Sequence, residues 1–280
     1  MANELKDLHL AFIGCGVMGE SMVAGLLRKD VADPHNIAAS HPRESRRDEL
    51  VERHAIAVFD DNRACARTVA DRENSAVVLC VKPQRLKRVL DDLNGAFHPD
   101  QLVISIVAGA SIEHLAEELG TAKIVRAMPN TPSQIGAGIT AWTCTDAVGD
   151  IERGNVREIL AALGKELFVE TENMIDMATS LSATGPTYIF MVMEALTDAG
   201  VHLGFSRDMA KELVQETMLG SVKFAMESHK HPAELRNMVT SPGGTSAEAI
   251  YQMEKGSLRT VLSKAVYSAY RRAVELGQKG

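Results

Sequence analysis

The stretch that most constrains the fold runs from Leu8 to Met22, LHLAFIGCGVMGESM. A short apolar run is followed at once by Gly14, Gly16 and Gly19 and then by residues that can begin a helix. This order of strand, tight turn and helix predicts a dinucleotide site, because glycines let the backbone approach a pyrophosphate and helix N-terminal amides offset its charge. An ordinary strand-turn-helix corner is the alternative, since a GxGxxG pattern alone has low specificity.

Strand-like and helix-like segments alternate through residues 1–170. Continuous apolar runs such as AVVLCV are typical of strands that are buried on both faces of a parallel sheet. We therefore predict an α/β fold here, a Rossmann doubly wound parallel sheet with helices on both faces. After the first strand, the predicted strands are Asn36–Ser40, Ala57–Phe59, Ala76–Val81, Leu102–Val107, Ile124–Met128, Ile139–Thr143 and Glu166–Val169.

Residues 171–280 have a different pattern, in which strand signals stop and apolar residues recur at three- and four-residue intervals. Small residues such as Ala195, Gly200 and Gly220 would let helices pack closely. We predict an all-α domain that pairs with a second copy as a homodimer or a higher assembly of dimers, because a short helical domain gains a shared core across a symmetric interface.

Composition excludes several classes of protein. The formal net charge of −7 over 280 residues argues against nonspecific nucleic-acid binding. The four cysteines contain no CxxC pair, so neither a metal site nor a disulfide framework is expected. The N-terminal segment is charged and no apolar run approaches 18 residues, which predicts a cytoplasmic protein without a membrane segment.

The end of the second predicted strand indicates which dinucleotide is bound. An NAD-binding chain usually has a carboxylate there, but this chain has Ser40, His41, Pro42 and Arg43. A hydroxyl and neighbouring basic side chains can donate hydrogen bonds to a 2′-phosphate. We therefore predict NADP(H) as the preferred cofactor, with NAD(H) as an alternative hydride donor. The nearby arginines could instead form a solvated helix face.

Two further groups of residues are candidates for the site. Turns after three predicted strands should lie at the carboxyl edge of the sheet, where ligands bind, so we expect cofactor contacts from Lys82, from Val107–Gly109 and from Asn130. In the helical half, Ser241–Ser246 (SPGGTS) interrupts two helices, and we predict Thr245 as the N-cap of the second helix. Glycine amides and hydroxyls at a helix start can bind a small carboxylate, although a plain loop is the alternative.

Taken together, these motifs resemble the pyrroline-5-carboxylate reductase family over nearly the whole chain. The matching segments are FIGCGVMG, VKP, AMPNTP, GPTYIF, and HP followed by SPGGTS. The resemblance implies a Rossmann domain, a helical dimerisation domain with the substrate site at a subunit interface, and reduction of 1-pyrroline-5-carboxylate to L-proline by NAD(P)H. Family members commonly have Thr at the position of Ser246, where this chain keeps the hydroxyl and loses the methyl group.

The resemblance also implies roles for individual residues. Ser246 and Thr245 would act in catalysis, with the Ser246 hydroxyl near the ring nitrogen. The substrate carboxylate would be bound by Gly243, Gly244 and Thr245, and Ser241 and Ser246 would also bind the substrate. The residues expected to bind the cofactor are Gly14, Cys15, Gly16, Val17, Met18, Gly19, Ser40, His41, Arg43, Asn62, Cys80, Val81, Lys82, Pro83, Val107, Ala108, Gly109 and Asn130.

The sequence leaves two other functions open. A β-hydroxyacid dehydrogenase also joins a Rossmann half to a helical half, but such enzymes resemble one another in using a lysine on an interdomain helix, and Thr187–Asp198 contains none. A non-catalytic NADP-binding regulator would bind the cofactor without oxidising it. NADPH absorbance with and without pyrroline-5-carboxylate distinguishes the three.

Overall fold

A computed structural model describes residues 7–277. Its centre is an eight-stranded sheet with the strand order β3-β2-β1-β4-β5-β6-β7-β8. The strands are His9–Ile13 (β1), Ile37–Ser40 (β2), Ala57–Phe59 (β3), Ser75–Leu79 (β4), Leu102–Ser105 (β5), Ile124–Met128 (β6), Gly138–Cys144 (β7) and Gly164–Phe168 (β8).

Strands β1 to β6 are all parallel, in the order of a dinucleotide-binding fold. Strand β7 differs from the expectation of a wholly parallel sheet, because it runs antiparallel to β6. Only a short connection containing the 3₁₀ turn Thr131–Ile135 joins these two strands, and a parallel pairing would need a longer crossover. Strand β8 is again parallel to β7.

Seven helices pack on the two faces of this sheet. They are Val17–Arg28 (α1), Glu44–His54 (α2), Asn62–Arg67 (α3), Leu86–Leu93 (α4), Ile112–Leu119 (α5), Asp150–Ala161 (α6) and Asn173–Ala178 (α7). One apolar cluster joins Phe12 and Trp142 to residues of α1, α2 and α6, and another joins Ile13 and Val77 to residues of α3, α4 and α5. The helices therefore cover both faces, which confirms the predicted doubly wound architecture.

The chain divides into two compact units, one of residues up to Thr184 together with those from Ala269 onward, and one of Gly185–Ser268. The predicted boundary at residue 170, between a cofactor-binding domain and a substrate-binding and dimerisation domain, stays a prediction. The second unit contains Gly185–His202 (α8), Arg207–Ser228 (α9), Pro232–Met238 (α10), Thr245–Lys255 (α11) and the first part of Leu258–Gly277 (α12).

The helical unit has almost no core of its own. Within Gly185–Ser268, Ala210 alone is fully buried. Helices α8 and α9 pack closely there, since a Cβ added at Gly200 would lie 2.9 Å from the Cβ of Ala210. Large apolar side chains such as Phe190 and Phe224 are more than half exposed in the single chain. Among the described residues, no helix combines the length and the apolar character that crossing a bilayer requires.

Candidate active site

The glycine corner, Gly14–Gly19, joins β1 to α1, and each of its three glycines has a different environment. Gly14 has φ +78°, and a Cβ there would lie 2.2 Å from Cγ1 of Val81. A Cβ at Gly19 would lie 2.7 Å from Sγ of Cys80, whereas at Gly16 the nearest atom would be 3.8 Å away. The first glycine therefore permits the turn, the third lets α1 pack on β4, and the second leaves an open approach of the kind a pyrophosphate needs.

The start of α1 is free to accept an anion. Gly16 is the N-cap and provides no side-chain hydrogen bond, and Val17 is 63% exposed. The first backbone N–H groups of the helix therefore lack a partner within it and carry its positive dipole end. Cys15 is buried, and burial raises the pKa of its thiol to about 12, so the thiol stays protonated and packs in the core.

The residues predicted to hold the adenosine end are connected to the corner. The Ser40 hydroxyl accepts a hydrogen bond from the Gly14 N–H at 3.1 Å and donates one to Asn62 Oδ1 at 2.8 Å. Asn62 in turn donates through Nδ2 to Asp92 at 3.2 Å. Ser40 is fully buried. Its hydroxyl therefore holds the corner in shape and is not presented at the surface.

Of the three arginines after β2, one has a free guanidinium. Arg46 pairs with Glu20 and Glu49, and Arg47 donates to the carbonyls of His41 and Pro42, both at 3.1 Å. The Arg43 side chain is exposed and makes no hydrogen bond or ion pair within residues 7–277. Arg43 is therefore the arginine available to a 2′-phosphate.

His41 lies next to these arginines. Burial and the surrounding positive charges lower the pKa of His41, and its Nδ1 accepts a hydrogen bond from the Arg43 backbone N–H at 3.2 Å. The imidazole is therefore neutral at pH 7 and adds no positive charge to this edge of the site.

The turns after β4 and β5 lie at the same edge of the sheet as the glycine corner. Cys80 bonds back to Ile13 through its N–H at 3.0 Å and its thiol at 3.2 Å, and Lys82 is exposed before the 3₁₀ turn Pro83–Arg85. Gly109 has φ +78°, and a Cβ there would lie 2.9 Å from the carbonyl carbon of Leu276. The end of α12 therefore supports the turn Val107–Gly109 from behind.

The turn after β6 is held by Asn130. Its Oδ1 accepts a hydrogen bond from the Ile139 N–H at 3.0 Å, and its Nδ2 donates to the Ser182 carbonyl at 3.3 Å. Both ends of the amide are thus used within the protein. The predicted contact between Asn130 and the cofactor stays a prediction.

The SPGGTS loop, Ser241–Ser246, precedes α11 in the helical unit. Gly244 is the N-cap, so the prediction that Thr245 caps the helix is wrong. The cause is a turn in which the Gly244 N–H bonds to the Ser241 carbonyl at 3.0 Å and Gly243 has φ +69°, which makes Thr245 the first helical residue. Within residues 7–277 the hydroxyls of Thr245 and Ser246 make no hydrogen bond, and free hydroxyls beside helix amides can bind a small carboxylate.

Comparison with known proteins covers both units. Residues 172–276 match the family described as pyrroline-5-carboxylate reductase dimerisation, and residues 9–109 match NADP oxidoreductase coenzyme F420-dependent. A pyrroline-5-carboxylate reductase from Synechocystis sp. is 38% identical over 98% of this chain and 100% of its own length. The chain belongs to the pyrroline-5-carboxylate reductase family.

Solved structures of the family have the same fold. A pyrroline-5-carboxylate reductase from Coxiella burnetii is 36% identical with a TM-score of 0.83, covering 96% of this chain and 98% of that one. The Plasmodium falciparum enzyme, solved with NADP bound, is 29% identical with a TM-score of 0.88, covering 98% of this chain and 99% of its own. Membership of the pyrroline-5-carboxylate reductase family makes this chain an oxidoreductase.

Three residues that support the site were missed by sequence reasoning. Glu20 holds Arg46, Leu276 lies behind Gly109, and the buried Arg126 pairs with both acidic residues at α7, Glu172 at 2.8 Å and Asp176 at 2.7 Å. Each of these residues is distant in sequence from its partner. The one available signal was a charged residue within an apolar strand, Arg126 in β6, because a buried charge needs an ion-pair partner. Among the described residues, no group of three His, Cys, Asp or Glu side chains could hold a metal ion.

Proposed function

We propose that this chain catalyses the NADPH-dependent reduction of 1-pyrroline-5-carboxylate to L-proline, the last step of proline biosynthesis. The observation that carries the proposal is the division of roles in the glycine corner, where Gly14 and Gly19 are closely packed and Gly16 is open. That arrangement fits a pyrophosphate, and it occurs in a chain of the pyrroline-5-carboxylate reductase family. We assign the cofactor to residues 1–170, and the substrate and the dimer contacts to residues 171–280.

The main role of the protein in this reaction is to position the cofactor and the substrate next to each other. The dihydronicotinamide of NADPH, when bound, supplies the hydride for the C=N carbon of the ring. The amides at the start of α1 offset the pyrophosphate charge. Those of Gly243 and Thr245 at the start of α11 bind the substrate carboxylate, since the Gly244 N–H is already bonded to the Ser241 carbonyl. The Ser246 hydroxyl bonds to the ring nitrogen. A cyclic imine that arrives protonated is already electrophilic, so no strongly perturbed acid or base is needed beside it.

The cofactor preference is assigned to Arg43. Its free guanidinium would pair with the 2′-phosphate of NADPH, which NADH lacks. Arg43→Ala is expected to raise KM for NADPH about tenfold and to leave KM for NADH unchanged within about twofold. Arg46→Ala is the matched control, because Arg46 is already paired and its loss should lower stability more than it changes the preference. Equal losses with both cofactors in Arg43→Ala would contradict the assignment. NAD(H) stays an alternative donor.

The assembly is proposed to be a homodimer. A helical unit in which only Ala210 is fully buried gains a core when a second copy covers its exposed apolar side chains. Association of dimers into larger assemblies and a cytoplasmic location stay predictions, as does the expectation of no nucleic-acid or membrane partner.

The deciding experiment follows NADPH absorbance with the purified chain. We expect NADPH oxidation that depends on 1-pyrroline-5-carboxylate, with one molecule of proline formed for each NADPH oxidised. A set of β-hydroxyacids with NADP⁺ serves as the parallel assay for the dehydrogenase alternative. NADPH binding without oxidation in the presence of the imine would overturn the proposal in favour of a regulator, and turnover of a β-hydroxyacid in place of the imine would overturn it in favour of a dehydrogenase.

A further inference from the structure

The amide of Asn130 connects two segments of the first compact unit that lie far apart in the sequence. Asn130 belongs to AMPNTP, directly after β6, and its Nδ2 donates to the carbonyl of Ser182 at 3.3 Å. Ser182 lies four residues before Pro186, which belongs to GPTYIF. The other end of the same amide accepts the Ile139 N–H at 3.0 Å. The side chain therefore spans from the start of β7 to the segment that follows α7.

That segment, Thr179–Ala183, is a π-helical turn. Its wide spacing is visible in the Thr184 N–H, which bonds to the carbonyl of Thr179 at 2.9 Å, five residues back. The hydroxyl of Ser182 bonds to the Ala178 carbonyl at 2.9 Å, so side chains in the turn also bond to its own backbone. Single π-helical turns inside helical segments are uncommon and often occur at functional positions.

Pro186 gives a physical reason for both the turn and the tether. In a regular α-helix the carbonyl of Ser182 would accept a hydrogen bond from the N–H of residue 186, but proline has none. The proline ring would also collide with the carbonyl four residues before it, and a wider turn relieves that collision. Asn130 Nδ2 then supplies a donor to the carbonyl that proline leaves without its helical partner.

We propose that Asn130 is a positioning residue, whose amide replaces the N–H missing at Pro186 and so holds the turn Pro129–Thr131 in place for the nicotinamide end of the cofactor. The kinetic part of this role rests on the proposed function. The structural part, a coupling between Asn130 and Pro186, does not. A side chain that acts in this way touches neither substrate nor cofactor.

A double-mutant cycle tests the coupling. Asn130→Ala, Pro186→Ala and the double variant are compared by urea unfolding and by steady-state kinetics. Pro186→Ala restores a backbone N–H, so removing the Asn130 amide should cost much less in that background than in the original chain. We expect Asn130→Ala to lower kcat about fivefold to tenfold, because the turn Pro129–Thr131 loses a hydrogen bond that holds it in place, with KM for NADPH changed by less than about twofold.

Two further variants isolate the donor half of the amide. Asn130→Asp keeps an acceptor for the Ile139 N–H but places a carboxylate against the Ser182 carbonyl, so kcat should fall at least as far as in Asn130→Ala. Asn155→Ala is the matched control, because it removes an asparagine amide that donates to Asn74 at 2.7 Å before β4. It should lower stability and leave kcat unchanged.

The outcomes separate the two proposals. Strictly additive losses in the cycle would overturn the coupling, and coupled stability with an unchanged kcat would overturn the positioning role. If the original chain fails to oxidise NADPH with the imine, the proposed function fails, and the unfolding cycle still decides whether Asn130 compensates for Pro186.

Discussion

The glycine corner and the SPGGTS loop are both proposed to bind an anion at the start of a helix, but their surroundings differ. In the corner, a Cβ at Gly14 or Gly19 would come within 2.2 Å of Val81 or 2.7 Å of Cys80. In the loop, a Cβ at Gly243 would meet nothing within 4 Å, and the three atoms nearest a Cβ at Gly244 all belong to Ser241 of the loop itself. Packing inside the chain therefore determines the shape of the corner, whereas the loop leaves its polar groups uncovered.

The two sites acquire their order from different parts of the molecule. The corner adjoins a core that includes Phe12 and Trp142, so its shape exists before the cofactor binds and little entropy is lost on binding. The loop belongs to a unit with a single fully buried residue. We infer that its order depends on the substrate and on the second copy of the chain.

The strongest test of the comparison is a pair of substitutions within the corner. Gly14→Ala places a Cβ against Val81 at φ +78°, so we expect the unfolding free energy to fall by about 3 kcal/mol and NADPH binding to be lost. Gly16→Ala meets no protein atom closer than 3.8 Å, so stability should fall by no more than about 1 kcal/mol, the cost of Ala at an N-cap, while Kd for NADPH rises at least tenfold. Urea unfolding and NADPH fluorescence titration measure both. Equal destabilisation by the two variants would contradict the assigned roles.

The features that could be predicted from the sequence are those that depend on local contacts, as the shape of the corner does. The strands and the corner were predictable because their signals are local, namely continuous apolar runs and glycines at steric limits within a few residues of each other. The antiparallel β7 was missed although the length of the connection after β6 indicates it, because so few residues cannot form a parallel crossover. Thr245 was predicted as an N-cap from residue type, but the backbone turn from Ser241 to Gly244 moved the cap by one residue.

Other features of the site needed contacts that no local pattern encodes. The sequence does not tell the arginines after β2 apart, whereas in the structure Glu20, 26 residues earlier, already binds Arg46. The requirement for glycine at 109 comes from Leu276 near the other end of the chain. The roles assigned to the hydroxyls and amides of the loop stay predictions, because they concern a bound substrate.

Ser246→Ala tests the proposed role of the SPGGTS loop in substrate binding. Ser246 is the second residue of α11, and within residues 7–277 its hydroxyl makes no hydrogen bond, so its loss should not change the unfolding free energy. Loss of a hydrogen bond to the charged ring nitrogen should lower kcat about tenfold to a hundredfold and leave KM for NADPH unchanged. Ser221→Ala is the control, since that hydroxyl bonds only to Thr217 in its own helix. An unchanged turnover number would count against the contact with the ring nitrogen.

Gly109 is another closely packed glycine of the cofactor site, and its neighbour belongs to the last helix, α12. Gly109→Ala places a Cβ 2.9 Å from the backbone of Leu276 at φ +78°, so we expect a loss of about 2 kcal/mol in the unfolding free energy and a higher KM for NADPH. Gly120→Ala has a similar φ of +67° with nothing within 4 Å, so it reports the backbone strain alone, about 1 kcal/mol. If the two variants lose the same stability, α12 does not support the turn.

The smallest expected effect concerns Glu20, which follows the corner directly and joins α1 to α2. Burial opposes its ionisation, but hydrogen bonds from Arg46 and His54 outweigh burial and hold the pKa of Glu20 below its usual value. A carboxyl whose pKa is lower in the folded chain stabilises the fold above its unfolded pKa of about 4.3, and this contribution is lost as the pH falls through the folded pKa.

Glu20→Gln should therefore lower the unfolding free energy by about 1 kcal/mol at pH 7, and the difference from the original chain should shrink below about pH 4. Urea unfolding between pH 3 and pH 7 measures this. Glu49→Gln is the control, because its carboxylate is nearly half exposed and pairs with Arg46 alone, so its effect should be no more than a few tenths of a kcal/mol. A Glu20→Gln difference that is constant across the pH range would mean that α1 and α2 are held together by packing and not by charge, and the corner would then owe its shape to steric contacts alone.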